Sequence, residues 1–205
     1  MKVLLLNGSP HGEGCTRVAL DEVAMTLQKE GIETEILHVG GENLGGCAAC
    51  GGCRQTGRCV RGGLVNEVLA RAEEFDGLVL GAPVHYASPA GGFVAFCDRL
   101  FFAGGGKFRN KPAAAVVSAR RAGTTASLEV LQKYINYFMP LVHSQYWPMI
   151  HGASADDARK DLEGLQIMRQ LGRNMAWLLK CVEAGRAAGV PDPETEPMQR
   201  TNFIR

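Results

Sequence analysis

The sequence predicts an α/β domain built on a parallel sheet with helices on both faces, and three observations carry that expectation. Short β-rich runs alternate with helical patterns along the chain, as successive βαβ units with right-handed crossovers require. The first run, KVLLL at residues 2–6, is apolar without alternation, which suits a strand buried on both faces. Several runs end in segments rich in Gly, Ser and Pro, and in an open sheet ligands bind beyond the carboxyl ends of the strands.

Taken in order, KVLLL is bounded by Asn7 and Gly8, which end the first strand. From residue 16 to about 30, Leu20, Val23, Ala24 and Leu27 recur at helical spacing, and Gly31 stops the helix. ETEILHV at 33–39 is a second strand, followed by a cysteine-rich loop at 45–63. LVNEVLARAEEF at 64–75 sets Leu64, Val65, Val68, Leu69 and Phe75 on one helical face. GLVLGAPV at 77–84, PAAAVVS at 112–118 and QYWPMI at 145–150 are three more strands, separated by helical patterns near 89–103 and 124–139. A long helix at about 155–184 closes the fold. The expected organisation is one domain over 1–185 that includes the loop 45–63, then a polar, Pro-rich tail at 186–205 that is either disordered or packed on a neighbouring subunit.

Composition limits the function classes. A chain of 205 residues, 46% of them hydrophobic, buries one substantial core. The net charge of +1 from 22 basic and 21 acidic residues supplies no global field for nucleic acid or an anionic membrane. No segment is long and apolar enough to span a bilayer, and the start MKVLLLNGSP lacks a signal-peptide core, so the expected location is cytoplasmic. In a reducing compartment disulfides are disfavoured, so the seven cysteines, an odd number, read better as ligands, redox groups or core residues.

Three of the strand-ending loops carry the chemistry. NGSPHGEGCTR after the first strand combines glycines, the hydroxyls of Ser9 and Thr16 and an immediate helix start. Freed amides and the positive helix end would together hold a phosphate dianion. The loop lacks the G-x-G-x-x-G and G-K-[ST] fingerprints, and a plain Gly/Ser turn capped by Thr16 is the other reading. GAPVHYASPAG after the third strand is stiffened by Pro83 and Pro89 and presents Val84, His85 and Tyr86, a surface suited to a flat heteroaromatic ring. SARRAGTTAS after the fourth offers two arginines to an anion or a ring edge. A phosphate cradle, a ring platform and a polar edge at one side of a sheet describe a mononucleotide with a large ring, and flavin mononucleotide (FMN) fits best.

Cys47, Cys50, Cys53 and Cys59 are spaced C-x2-C-x2-C-x5-C among Gly, Ala and small polar residues. The first three match the ferredoxin-type run, but there the fourth follows after three residues and precedes Pro. Zinc ribbons offer two separate C-x2-C pairs. From spacing alone a cluster, a zinc ion and an empty, disulfide-bridged or redox-switching loop remain open. Cys97 and Cys181 fall on helical patterns and, with Trp147 and Trp177, read as packing residues.

LNGSPHGEGCTR, GAPVHYASPAGGFVAFCDRL and VVSARRAGTTASLEVLQKYINYFMP resemble the characteristic segments of the NADPH-dependent FMN reductase group of flavodoxin-like proteins. The cysteine stretch is similar to that of the iron–sulfur flavoproteins within that group. The resemblance covers roughly residues 1–150. It implies a flavodoxin-like three-layer sandwich with a five-stranded parallel sheet in the order 2-1-3-4-5. It also implies an FMN phosphate loop at Ser9, His11, Gly14, Cys15 and Thr16, with Arg17 opening the helix. The ring loop falls at Pro83, Val84, His85, Tyr86 and Ala87, and a third flavin loop at Ser118, Ala119, Arg120 and Gly123. Family members more often show extra glycines where this chain has Arg120, Arg121 and Ala122. For the four cysteines it implies ligation of a [4Fe-4S] cluster.

The function this implies is an FMN-dependent oxidoreductase in which flavin takes electrons in pairs and a cluster exchanges them singly. NAD(P)H is the candidate donor, stacking transiently on the flavin because no separate nicotinamide fingerprint is present. The acceptor is a small molecule such as a quinone or free flavin. The alternative is an electron carrier for a ferredoxin-type protein, docked by Arg54, Arg58 and Arg61 in a stretch with no acidic residue from 45 to 66. The loops after the second and third strands are separated by the first strand, so the cluster is expected nearer the flavin of a neighbouring subunit, in a homodimer or homotetramer.

Overall fold

A computed structural model describes residues 1–199, 201 and 203. The chain begins with β1 (Lys2–Asn7), α1 (Cys15–Lys29) and β2 (Glu33–His38), followed by a single turn, α2 (Cys53–Thr56), and α3 (Leu64–Ala70). Next come β3 (Gly77–His85), β4 (Ser88–Pro89), α4 (Gly91–Gly104), β5 (Ala113–Ala119) and α5 (Thr124–Asn136). It closes with β6 (Met149–His151), α6 (Ala155–Ala158) and α7 (Leu162–Ala187). The parallel strands lie in the order β2-β1-β3-β5-β6, which is the expected topology, and the two-residue β4 pairs antiparallel with β3 as an addition.

Alternation along the central strands makes two cores. Leu4, Leu6, Leu78, Leu80, Ala113 and Ala115 point to one face, where Phe93, Phe96 and Leu100 of α4 and Leu128 and Leu131 of α5 cover them. Val3, Leu5, Val79, Ala114 and Val116 point to the other and meet Leu20 and Val23 of α1 and Leu171 and Met175 of α7. A strand covered on both sides has no polar face, which is why β1 and β5 read as unbroken apolar runs.

Four expectations need correction. The long helix at 155–184 is two helices: Ser154 caps α6, then Asp161 accepts the Gly164 amide at 2.9 Å and starts α7 afresh. The same carboxylate accepts the His151 amide at 2.7 Å, tying the break to the end of β6. The last strand is only Met149–His151, because Tyr146 and Trp147 pack edge to face, ring centroids 4.6 Å apart, outside the sheet. Trp147, Trp177 and Cys181 are exposed rather than core, whereas Cys97 is fully buried. The helix at 64–75 stops at Ala70 and finishes as a tight turn at Ala72–Glu74 that buries Phe75. Among the described residues no helix is long and apolar enough to cross a membrane.

Candidate functional site

Because β1, β3 and β5 are adjacent, the loops at their carboxyl ends share one edge. The first is organised by Asn7, fully buried at the end of β1. Its amide donates to the Gly12 carbonyl at 3.0 Å and its oxygen accepts the Ser9 amide at 3.1 Å. Nε2 of His38, on the neighbouring strand end, donates to the Ser9 carbonyl at 2.8 Å. The Ser9 hydroxyl accepts the His11 amide at 3.1 Å, which leaves its own proton for an anion. His11 itself is exposed. Gly14 precedes α1 with no side-chain cap, so the first-turn amides are open to a ligand at the positive end of the helix.

The three loops are joined to one another. The buried hydroxyls of Thr16 and Ser118 lie 2.8 Å apart, linking the start of α1 to the end of β5. Gly123 adopts φ +87°, and a Cβ there would stand 2.8 Å from Val84 Cγ1 and 3.0 Å from Ala87 Cα, so only glycine lets the third loop meet the second. The second is a tight hairpin in which His85 pairs with Ser88. At its tip Tyr86 has φ +57° and is wholly exposed, a strained conformation of the kind concentrated at ligand sites. Pro83 and Val84 are half-buried beneath, Ser118 and Ala119 are buried, and Ala87 and Arg120 are exposed. The Arg17 guanidinium is engaged by Asp21 at 2.7 Å and Glu13 at 3.2 Å. Cys15 turns its thiol to the carbonyls of Gly152 and Ser154, and burial pushes that thiol up. A turn with open amides, an exposed aromatic hairpin and a polar third loop therefore converge at the sheet edge.

The cysteine segment leaves β2 and lies over α4 and α5. Cys47, Cys50, Cys53 and Cys59 are all free thiols and line one cavity of about 580 Å³, whose far wall includes Phe101, Phe102, Tyr134 and Tyr137. Cys53 opens α2 and Cys59 is held by a two-way clamp, both bonds 2.8 Å, between its backbone and the Asn66 side chain. Cys47 and Cys50 sit exposed in chain without regular structure. Among the described residues no three Cys, His, Asp or Glu side chains are drawn together closely enough to hold a metal ion. The donor set nevertheless suits an iron–sulfur centre, which takes four thiolates and N–H donors to sulfur.

Three residues of these sites escaped the sequence reading. Asn7 and Asn66 are ordinary polar residues whose role is to hold backbone. Arg99, inside the apolar run of α4, is only 4% exposed. Its Nε donates to Cys59 Sγ at 3.2 Å, Nη2 to the Gly62 carbonyl at 2.7 Å and Nη1 to the Gly45 carbonyl at 3.4 Å. Burial pushes the Cys59 thiol up, but the bonds from Arg99 and the Arg61 amide, with the two positive charges, hold it below the ordinary thiol value. Beside it, burial and the 2.5 Å bond to Asp98 push the Tyr134 hydroxyl up.

Sheet order and converging loops define a flavodoxin-like protein with a mononucleotide edge. The profile of the NADPH-dependent FMN reductase family matches residues 1–154. The chain belongs to that family and is an FMN-dependent oxidoreductase. It is similar to an iron–sulfur flavoprotein of Methanocaldococcus jannaschii, 29% identical over 192 residues that cover 89% of this chain and 100% of the relative. Among solved structures it resembles RosB with a bound flavin-phosphate intermediate, at TM-score 0.70 and 15% identity over 100% of this chain and 92% of the other. It also resembles a flavodoxin from the domain Archaea, at TM-score 0.59 and 13% identity over 88% and 99% of the two chains. At these identities the structural matches speak for the fold alone.

Proposed function

We propose that this chain couples FMN at the three-loop edge to a [4Fe-4S] cluster held by Cys47, Cys50, Cys53 and Cys59, passing electrons between a donor and an outside acceptor. One observation carries the reading: four free thiols line a single cavity beside a buried arginine. The name of the Methanocaldococcus relative points the same way. Bound FMN would supply paired-electron chemistry and the cluster single-electron exchange. The chain's own residues orient and shield. Ser9 and the open amides of α1 would hold the phosphate, the Pro83 to Ala87 hairpin would support the ring, and Asn66 and Arg99 fix the fourth thiol.

NAD(P)H is the proposed electron donor, a small molecule the proposed acceptor, the chain a homodimer or homotetramer and its setting the cytoplasm. A ferredoxin-type partner is the second reading, favoured by the exposure of Arg54, Arg58 and Arg61 on a segment with no acidic side chain. Anaerobic reconstitution with FMN, iron and sulfide tests the proposal. Stoichiometric FMN with about four irons and four sulfides per chain is expected. FMN without iron or sulfide would contradict it and turn the segment into a thiol redox switch. Stopped-flow reduction separates the two partner readings: bleaching by NADPH or NADH at roughly 1 s⁻¹ or faster marks a reductase, and fast bleaching only by reduced ferredoxin marks a carrier.

A further inference from the structure

A guanidinium taken out of water is costly unless an anion compensates it. Arg99 is 96% buried by its 4% exposure, yet among the described residues no carboxylate pairs with it. Its neighbour Asp98 is engaged by Tyr134. Among its hydrogen-bond partners in the described residues, the one that can carry negative charge is the Cys59 sulfur; the other two are neutral carbonyls. Those carbonyls, of Gly45 and Gly62, stand at the two ends of the segment that carries all four cysteines. Among the described residues the remaining hydrogen bonds of that segment to the body of the protein are few, the Asn66 clamp and a long bond from Cys53 Sγ to the Phe102 carbonyl at 3.7 Å, beside the packing of Cys53 and Cys59 against the core.

We infer that Arg99 is the counter-cation and positioning residue of the cysteine site: from α4 it closes the segment 45–62 as a loop over the cavity and stabilises an anionic metal–thiolate centre there. The inference rests on the cluster reading above. A centre with four thiolates is anionic, and one-electron reduction adds a further negative charge. A fixed positive charge in direct contact with one ligand sulfur favours the reduced form, and because the Arg99 side chain is buried the effect is screened less than between two exposed charges. Planar N–H groups in one fork let a single side chain hold a sulfur and two carbonyls at once, which an ammonium cannot reproduce.

The variants Arg99→Gln and Arg99→Lys separate the charge from the fork. Anaerobically reconstituted wild-type protein and both variants would be compared for FMN and iron content, for the midpoint potential of the cluster by spectroscopic redox titration, and for deuterium uptake across 45–63 before iron is added. Loss of the charge in Arg99→Gln should shift the one-electron equilibrium about tenfold toward the oxidised form, which is about 59 mV, and Arg99→Lys should recover most of that shift. Uptake across 45–63 should rise in both variants, since neither has the fork. A fully loaded Arg99→Gln with the wild-type potential overturns the inference and leaves the cluster reading standing. Wild-type protein that takes no iron overturns both. Should Arg99→Gln fail to hold FMN, Arg99→Lys decides: faster uptake with a near wild-type potential supports the inference, and unchanged uptake overturns it.

Discussion

The flavin edge and the cysteine segment are built from similar residues, glycines with small polar side chains, and are held by different means. At the flavin edge Asn7, Ser9, Thr16 and Ser118 are buried beneath the loops, and three adjacent strands set the spacing. The cysteine segment leaves the edge strand β2, has one helical turn and relies on Asn66 and Arg99 for anchorage. The lesson is that glycine content does not decide rigidity. What decides it is whether polar groups under the loop are paired inside the core. A loop rigid before its ligand arrives binds without an ordering cost, while one ordered by a metal couples binding to local folding.

Substitutions at matched positions in the two regions can break this comparison, and glycines should give the largest contrast. At Gly40 a Cβ would lie 2.2 Å from the Ser9 carbonyl oxygen, a backbone atom that cannot yield, whereas at Gly46 it would meet nothing within 4 Å. Gly40→Ala should cost about 3 kcal/mol and weaken FMN binding, and Gly46→Ala should stay within about 0.5 kcal/mol. Urea denaturation and FMN titration measure both, and equal costs would undo the distinction.

Hydroxyls come next. Ser118→Ala leaves the buried Thr16 hydroxyl without its partner and should cost about 1–3 kcal/mol. Thr56→Ala removes an exposed hydroxyl that bonds only within its own turn, and should cost less than about 0.5 kcal/mol. Asn66→Ala should be intermediate, about 1 kcal/mol, with iron retention reduced and FMN affinity unchanged, because it frees Cys59 without touching the flavin loops.

A small, pH-dependent effect is expected on β2, the strand that feeds the cysteine segment. Arg71 binds Glu35 through two bonds of 2.7 Å and Lys2 adds a third contact at 2.8 Å. The Arg71 bonds, outweighing burial, hold the Glu35 carboxyl at about 2 against an ordinary 4.5. A carboxyl more acidic in the folded than in the unfolded protein stabilises fully above about 4.5, and that stabilisation is lost as pH falls through about 2. The group is partly exposed, so solvent screening keeps the contribution to about 0.5–1 kcal/mol. The stability difference between wild type and Glu35→Gln, followed by thermal denaturation, should therefore shrink below pH about 4.5 and be constant above it.

How much of this was legible in the sequence follows from the same contrast. The parallel strands and the three flavin loops were readable because double burial forces continuous apolar runs, and strand ends then fall where Gly, Ser and Pro collect. The break at Asp161 was hidden because apolar periodicity continues across it. A cap works through one side chain. Arg99 was hidden for a related reason. Its position in GGFVAFCDRLFFAG keeps the helical pattern, and only its charge within an apolar run hinted that something other than packing was being held. The exposure of Trp147 and Trp177 was unreadable from residue type, since large aromatic side chains are core residues by default.

The central claim is that the flavin edge is formed before its ligand and the cysteine segment is completed by the metal centre proposed for it. Hydrogen exchange on FMN-free, iron-free protein and on protein reconstituted anaerobically with iron and sulfide tests it directly. Residues 3–9 and 18–24 should be protected in both samples, while amides across 45–63 should exchange rapidly without metal and slow roughly tenfold or more with it. Exchange across 45–63 that is unchanged by iron and sulfide, or flavin-edge amides as open as those of the cysteine segment in the ligand-free protein, would contradict the account.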